Sequence, residues 1–362
     1  MRQIKTGLIG CGKVGHSHAV ALQSLPESRF VAVCARTPEK ANVFAEKYGV
    51  AGFTKVDEMI AKSGVEAVFI CTPHPQHAAP TIAAAKAGVH VLVEKPLASS
   101  LADCDAMLAA ARDGKVILGT ISQRRFYASC ERIQQAIQSG KLGKPILGTA
   151  TIFGWRDEAY YRSDPWRGSW QHEGGGVLVN QSPHQLDLLL WYLGEPEEVF
   201  GYWANLNHPY IEVDDTAAAV VRFKNGALGN ILVSNSLNPA LNARVSVHGA
   251  NGASVGVQTD GGAMFVAGMT KIIEPPFNDV WTIPGEEHLL SKWKQEDAEL
   301  FKSVDPTEHF HKLQIQDFLQ AIIERRQPAV TGEDGRRTVE LFTAIYRATR
   351  ERKPVQFPIS AQ

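Results

Sequence analysis

His184 is the side chain in this sequence best suited to moving a proton near neutral pH. An imidazole of ordinary pKa, about 6.5, serves there both as base and as acid. It follows a triple glycine, Gly174-Gly175-Gly176, and stands four residues after Asn180 and three before Asp187. That spacing lets one helical face present all three side chains. The plainer alternative is a capping histidine bonded to Asp187 with no catalytic task. Ser182 is a suitable N-cap and Pro183 a suitable first-turn residue, so the helix is expected to start there, leaving Asn180 in the loop before it. Leu186, Leu189, Leu190 and Leu193 supply its packed side.

Two further motifs carry chemistry. Lys95, in Val93-Glu94-Lys95-Pro96, follows a short apolar run. In a parallel α/β sheet, ligands bind beyond the carboxyl ends of the strands, and Pro96 restricts the residue before it. A strand-end lysine standing alone is as readily a solvated surface residue. The second motif, Gly10-Cys11-Gly12-Lys13-Val14-Gly15, closes an apolar run and opens a helical pattern. In that setting it reads as a dinucleotide turn. Gly10 allows the tight turn, Gly12 lets a pyrophosphate approach, and Gly15 lets the helix pack on the sheet; free N–H groups at the helix start face the phosphates. An acidic residue about 20 positions on usually holds a ribose 2′-OH. Here the second run ends Val33-Cys34-Ala35-Arg36-Thr37, with Lys40 nearby. Arg36 and Thr37 suit a 2′-phosphate, so NADP is favoured over NAD.

The elements that position these groups alternate through the first third of the chain. Apolar runs at 4–9, 30–34, 67–70, 89–93 and 116–118 are separated by helical patterns at 14–23, 38–48, 76–87 and 101–111. Continuous short runs between helices indicate parallel strands covered on both faces, hence a doubly wound α/β sheet. Residues 1–123 are read as a dinucleotide-binding Rossmann domain. Beyond them the rhythm changes: a helix over 127–139, an extended run over 145–155, a polar aromatic loop over 156–171, a helix over 182–193, then alternating runs over 199–258. Asn225-Gly226 and Asn251-Gly252 signal hairpin turns. Residues 260–306 give a poor signal, and helices over 308–326 and 332–350 close the chain. Residues 124–362 are therefore read as an α+β domain with a large open, mainly antiparallel sheet, for substrate binding and oligomerisation.

Composition excludes whole classes. Lys plus Arg number 37 against 38 Asp plus Glu, a net charge of -1. Proteins that chiefly grip nucleic acid or anionic membrane need a basic surplus. The apolar fraction of 44% supports sizeable cores without disulfide or metal staples. All five cysteines lie in the first 130 residues and none forms a CxxC pair. With no signal-peptide pattern and no apolar stretch of spanning length, a reduced, cytoplasmic, soluble protein is expected.

Taken together, GCGKVG, CTPHPQH after the third run, EKPLA after the fourth and GGGVLVNQSPHQLDLLLWYLG resemble the glucose–fructose oxidoreductase / inositol dehydrogenase / MocA family over essentially the whole chain. The resemblance implies NAD(P)-dependent oxidation or reduction of a CH–OH group on a sugar, glycoside or inositol-type polyol. Lys95 matches the family's active-site lysine, with the bond before Pro96 often cis, and His184 matches its catalytic histidine. Arg167, in Asp164-Pro165-Trp166-Arg167, resembles a Trp-Arg element near the nicotinamide. Cys71, Thr72, Pro73, His77, Glu94, Gln123 and Trp166 are expected along the cofactor cleft. Where the family commonly has Asp, this chain has Asn180, which cannot relay a proton but can orient substrate hydroxyls.

In the expected mechanism His184 takes the hydroxyl proton as hydride leaves, and Lys95 stabilises the growing oxyanion by about 3 kcal/mol. Trp155, Arg156, Tyr160, Tyr161 and Trp166 hold the rest of the sugar. No metal is expected: His74 and His77 lack a third ligand, and Glu308, His309 and His311 read as a solvated helix start. Partners are a small sugar or polyol, with no nucleic acid and no membrane, and a homodimer or homotetramer through the second sheet. A reductase of another carbonyl (dihydrodiol- or biliverdin-type) and a sugar-sensing regulator are the competing readings.

Overall fold

Uninterrupted apolar runs form strands that are buried on both faces. In the computed structural model, which describes residues 2–260, 270 and 272–360, these are β1 (Ile4–Ile9), β2 (Ser28–Cys34), β3 (Ala51–Phe53), β4 (Ala67–Ile70), β5 (His90–Val93) and β6 (Leu118–Thr120). They pair in parallel in the order β3-β2-β1-β4-β5-β6, the doubly wound order expected of right-handed crossovers. The order reverses between β1 and β4, so the glycine turn after β1 and the loop after β4 flank the switch point. β3 and the helix Val56–Ser63 are additions to the sequence reading; a three-residue edge strand, Ala-Gly-Phe, carries too little apolar pattern to register. β6 lies two residues later than the run at 116–118.

The chain forms two units. One runs through Gln123 and includes Thr307–Arg336; the other holds Arg124–Pro306 and Arg337–Ser360. The return segment enters the first unit's core, where Ile315, Phe318, Leu319 and Ile322 pack with Leu8, Phe69 and Leu92. Burial of such side chains contributes about 1.5–3 kcal/mol each.

The second unit is built on β7 (Pro145–Phe153), β8 (Pro196–Ala204), β9 (Thr216–Phe223), β10 (Leu228–Ser234), β11 (Asn242–Gly249), β12 (Ser254–Asp260), β13 (Phe277–Trp281) and β14 (Val355–Gln356). Their order is β13-β12-β11-β7-β10-β9-β8-β14, antiparallel throughout except for β10 beside β7. The Asn225-Gly226 and Asn251-Gly252 turns close β9–β10 and β11–β12, each glycine left-handed and each asparagine Oδ1 accepting the N–H two residues on. The helix Pro183–Leu193 packs on the covered face at Gly148, where a Cβ would stand 2.6 Å from Leu193 Cδ1. Residues 156–171 are not the loop the sequence suggests. They contain the helix Glu158–Arg162, capped by Asp157, and Arg156, Tyr160 and Tyr161 are buried. Of the weakly patterned stretch 260–306, residues 261–269 and 271 lie outside the described residues; the rest includes β13 and the helix Leu289–Ser303. Among the described residues no helix is long and apolar enough to cross a membrane.

Candidate active site

The three glycines of the first turn do different jobs. Gly10 has φ +107, and a Cβ on it would lie 2.5 Å from the Cys71 carbonyl carbon. At Gly15 a Cβ would lie 2.5 Å from Gly10 O. At Gly12 it would meet nothing within 4 Å. Gly10 and Gly15 are thus fixed by packing, while the open space over Gly12 fits a diphosphate approaching the backbone. The helix Lys13–Ser24 that follows has neither a side-chain cap nor an acid in its first turn, so its leading N–H groups suit an anion. Gly12→Val should therefore weaken dinucleotide binding at least tenfold at unchanged melting temperature, whereas Gly10→Ala should lower the melting temperature itself. Calorimetric titration and thermal melts read the two effects separately.

Burial pushes the Cys11 thiol up to about 12 and Cys71 well above its usual range, so neither is a thiolate nucleophile. Arg36 is exposed just beyond β2, and Thr37 accepts the Lys40 N–H as the cap of the next helix. His77, fully buried, has Nδ1 2.9 Å from Pro96 O and Nε2 2.8 Å from Thr72 O. It stands between the loop Cys71-Thr72-Pro73 and the turn bearing Lys95, its one neutral-ring N–H bonding one of these two carbonyls. His74 is buried beside it. The Lys95–Pro96 bond is cis.

Glu94 points into the unit. Its Oε1 accepts from His18 Nε2 at 2.8 Å and its Oε2 from the Lys95 N–H at 3.1 Å. Burial alone would raise its pKa; the His18 hydrogen bond and charge, with His311 and Lys95, outweigh that and hold it at about 2. His311 is not at a solvated helix start: it is buried, and burial lowers it to about 4. The sequence reading failed because the polar neighbours Glu308, His309 and Lys312 mask the inward face shared by Phe310 and His311. His18, Glu94 and His311 bring their ligand atoms within 4.8 Å of one another, held by the His18–Glu94 hydrogen bond.

In the second unit the triple glycine is an anchored turn. Asp214 accepts the N–H groups of Gly176 at 2.7 Å and Leu178 at 3.0 Å and the hydroxyl of Tyr346 at 2.6 Å. A Cβ at Gly176 would collide with the Asp214 backbone. The turn launches a short helix, Val177–Asn180, so Asn180 closes a helix rather than lying in a loop. Ser182 is itself helical and donates Oγ–H to Leu178 O at 2.7 Å instead of capping. His184 is buried in the first turn of Pro183–Leu193. Asp187, one turn on, accepts from Arg125 at both its oxygens, at 2.8 and 2.6 Å, and that guanidinium lies 5.2 Å from the Trp191 ring.

A polar network surrounds Asn180. Tyr160 Oη accepts from Arg167 Nη1, from Asn180 Nδ2 at 3.1 Å and from Gln181 Nε2 at 3.0 Å. Guanidiniums of Arg167 and Arg156 cover its ring at 4.2 and 5.1 Å. Arg167 also lies 4.5 Å from the Trp166 ring. Trp155 tilts against His208, whose Nε2 lies 2.7 Å from Arg156 O, and Arg156 Nη1 donates to Trp155 O. Tyr161 is buried against Tyr160. Gln123 borders Arg124 and Arg125 in a 3₁₀ turn. The residue sequence reasoning missed is Glu173. It is buried, accepts the Gly168 N–H at 2.6 Å and accepts from Asn180 Nδ2. Its position immediately before the triple glycine was the available signal.

Comparison with known proteins agrees with this geometry. Residues 4–121 match the oxidoreductase family with an NAD-binding Rossmann fold, and residues 130–255 match the GFO/IDH/MocA C-terminal domain. Myo-inositol 2-dehydrogenase of Thermotoga maritima is 29% identical over 361 residues, 98% of each chain. The 1,5-anhydro-D-fructose reductase of Ensifer adhaerens is 27% identical over 349 residues, 94% of this chain and 95% of its own. Among solved structures, the WlbA dehydrogenase of Bordetella pertussis in complex with NADH and UDP-GlcNAcA superposes with a TM-score of 0.83 at 28% identity, covering 99% of this chain and 100% of that one. The chain belongs to the GFO/IDH/MocA family and is an NAD-binding oxidoreductase.

Proposed function

We propose that the protein oxidises a ring CH–OH of a sugar, glycoside or inositol-type polyol, with His184 as the base and Lys95 as the oxyanion-stabilising group. The observation that carries the reading is the anchored turn: Asp214 fixes the backbone that delivers Asn180 and, one turn of chain later, the buried His184. When bound, the nicotinamide supplies the hydride acceptor. His184 removes the hydroxyl proton and Lys95 stabilises the charge that develops on oxygen, each effect largest in the transition state. Tyr160, Tyr161, Arg156, Trp155 and Asn180 meet the remaining hydroxyls and the apolar ring face, with Trp166 and Arg167 at the nicotinamide side. Family relatives that act on inositols and on 1,5-anhydro-D-fructose support the substrate class. Arg36, with no acid at the end of β2, supports NADP as the preferred form of the cofactor. Nicotinamide reduction measured with inositols, aldoses and glycosides, each with NAD and with NADP, tests both statements; turnover with a polyol and a higher kcat/KM for NADP are expected.

A homodimer or homotetramer through the second sheet is part of the same reading. On its uncovered face Tyr202, Ala218 and Leu232 lie in register across β8, β9 and β10, and Leu228 and Leu147 across β10 and β7. Tyr202, Val220 and Leu228 are more than half exposed, an apolar patch of the kind that marks interfaces. Sedimentation should give a dimer or larger, and the paired change Val220→Asp, Leu232→Asp should give monomer.

A further inference from the structure

His18, Glu94 and His311 stand on three separate elements of the first unit: the helix Lys13–Ser24, the turn after β5 and the return helix Pro306–Glu324. No two share a segment of sequence, so a search for closely spaced ligands passes over them. Their ligand atoms nonetheless all lie within 4.8 Å of one another. His18 Nε2 is 2.8 Å and His311 Nε2 3.8 Å from the same oxygen, Glu94 Oε1. The two rings meet edge to face with centroids 5.7 Å apart.

Hydrogen bonding accounts for only part of this arrangement. His311 Nδ1 faces the Thr307 carbonyl at 3.0 Å. A carbonyl only accepts, so Nδ1 carries the hydrogen and Nε2 of the neutral ring presents a lone pair. At 3.8 Å that nitrogen is too far from Glu94 Oε1 for a hydrogen bond. An N–H given to a backbone carbonyl is the usual outer partner of a metal-bound imidazole, because it orients the ring and leaves the other nitrogen as ligand. His18 Nδ1 is buried and makes no hydrogen bond, so the tautomer of His18 is set by what its Nε2 meets.

We propose that His18 Nε2, Glu94 Oε1 and His311 Nε2 form a binding site for a divalent transition-metal ion, Zn²⁺ above all, which fastens the return helix to the dinucleotide-binding fold. Two imidazoles and a carboxylate are donors that Zn²⁺ takes at about 2.0–2.2 Å, whereas Mg²⁺ prefers oxygen ligands and water. Ligand atoms on a tetrahedral ion stand about 3.4 Å apart at that distance, between the 2.8 and 3.8 Å seen here. The ion displaces the hydrogen that His18 Nε2 shares with Glu94; that hydrogen passes through solvent to Nδ1. Glu94 Oε2 keeps the Lys95 N–H. The Lys95 charge acts on Glu94 too and moderates the hold on a cation. The His18 side chain is fully buried, while those of Glu94 and His311 each keep 11% exposure, which leaves an edge for entry and for water as the fourth ligand.

Untagged wild-type protein, freed of metal by a chelator and titrated calorimetrically, should bind one equivalent of Zn²⁺ and melt at a higher temperature in its presence, with Mg²⁺ doing neither. Co²⁺ reports the ligands: the weak visible bands of a nitrogen and oxygen site are expected. An intense sulfur-to-cobalt band would place the ion on cysteines of the same unit and overturn the proposal. His311→Leu should lose Zn²⁺ affinity by about a hundredfold or more, since loss of an outer partner alone costs about 10–100-fold, and its melting temperature should stop responding to Zn²⁺. Unchanged affinity in that variant, or no binding by the wild type, would overturn the site. If His311→Leu does not fold, X-ray absorption of the zinc-loaded wild type decides: two imidazoles with light oxygen neighbours uphold the site, and one imidazole or none refutes it. None of these readouts uses turnover, so failure of polyol oxidation leaves the site standing, and absence of zinc binding leaves the proposed function standing.

Discussion

Replacing His184 with alanine should lower turnover at least a hundredfold while cofactor affinity stays within twofold of wild type. The imidazole is the group assigned to take the substrate proton, and general-base catalysis contributes about 10²–10⁴-fold. The dinucleotide turn belongs to the other unit, so its glycines and helix N-terminus are untouched. Nor should the fold suffer. Asp187 keeps its bidentate Arg125 partner, and the turn before the helix remains held by Asp214. Alanine is a better helix former than histidine at this position. His184→Gln, which keeps bulk and hydrogen bonding but cannot accept a proton at neutral pH, should fall as far as alanine. Kinetics by nicotinamide absorbance, with cofactor titration and melts in parallel, separates loss of base from loss of fold; unchanged turnover would remove His184 from the mechanism.

Lys95→Ala should be similarly severe, about a hundredfold or more in kcat/KM, as expected for about 3 kcal/mol of transition-state stabilisation. The backbone around it is secured independently: the Lys95 N–H is bonded to Glu94 Oε2, and Glu94 to His18. Truncation of the side chain therefore removes the charge without releasing the turn. Lys95→Met, nearly equal in length, should be as inactive as alanine if charge is what matters. Lys95→Arg should recover little, because a planar guanidinium does not replace a compact ammonium aimed at one oxygen. Thermal melts of all three variants measure any loss of fold separately, since the Lys95 charge also helps hold the buried Glu94 ionised.

The sequence was most legible where chemistry is local. The roles of Gly10 and Gly15 follow from backbone geometry within one turn, and the positions of their absent Cβ atoms agree with those roles. The parallel strands announced themselves as short runs of apolar residues, whereas Ala51–Phe53 is too brief to show. Residues 156–171 misled because tyrosine, tryptophan and arginine read as solvated loop when counted singly. Tyr160 is buried, and only the folded chain brings the guanidiniums of Arg156 and Arg167 over its ring. Glu173 had only its place before the triple glycine to mark it. Nothing in its neighbours along the chain tells that Asn180 and the Gly168 N–H meet its carboxylate. An amphipathic pattern likewise shows that Pro306–Glu324 is a helix but not which core it enters. Phe318 and Leu319 join the core of the first sheet, nearly 200 residues after its last strand.

The most direct test of the central claim is the initial rate of nicotinamide reduction by the wild-type protein against inositols, free sugars and glycosides, run beside His184→Ala. The account predicts that at least one ring polyol reduces the cofactor, with loss of at least a hundredfold in the variant. Reduction of no polyol, with consumption of reduced cofactor only on addition of an unrelated carbonyl compound, would contradict it.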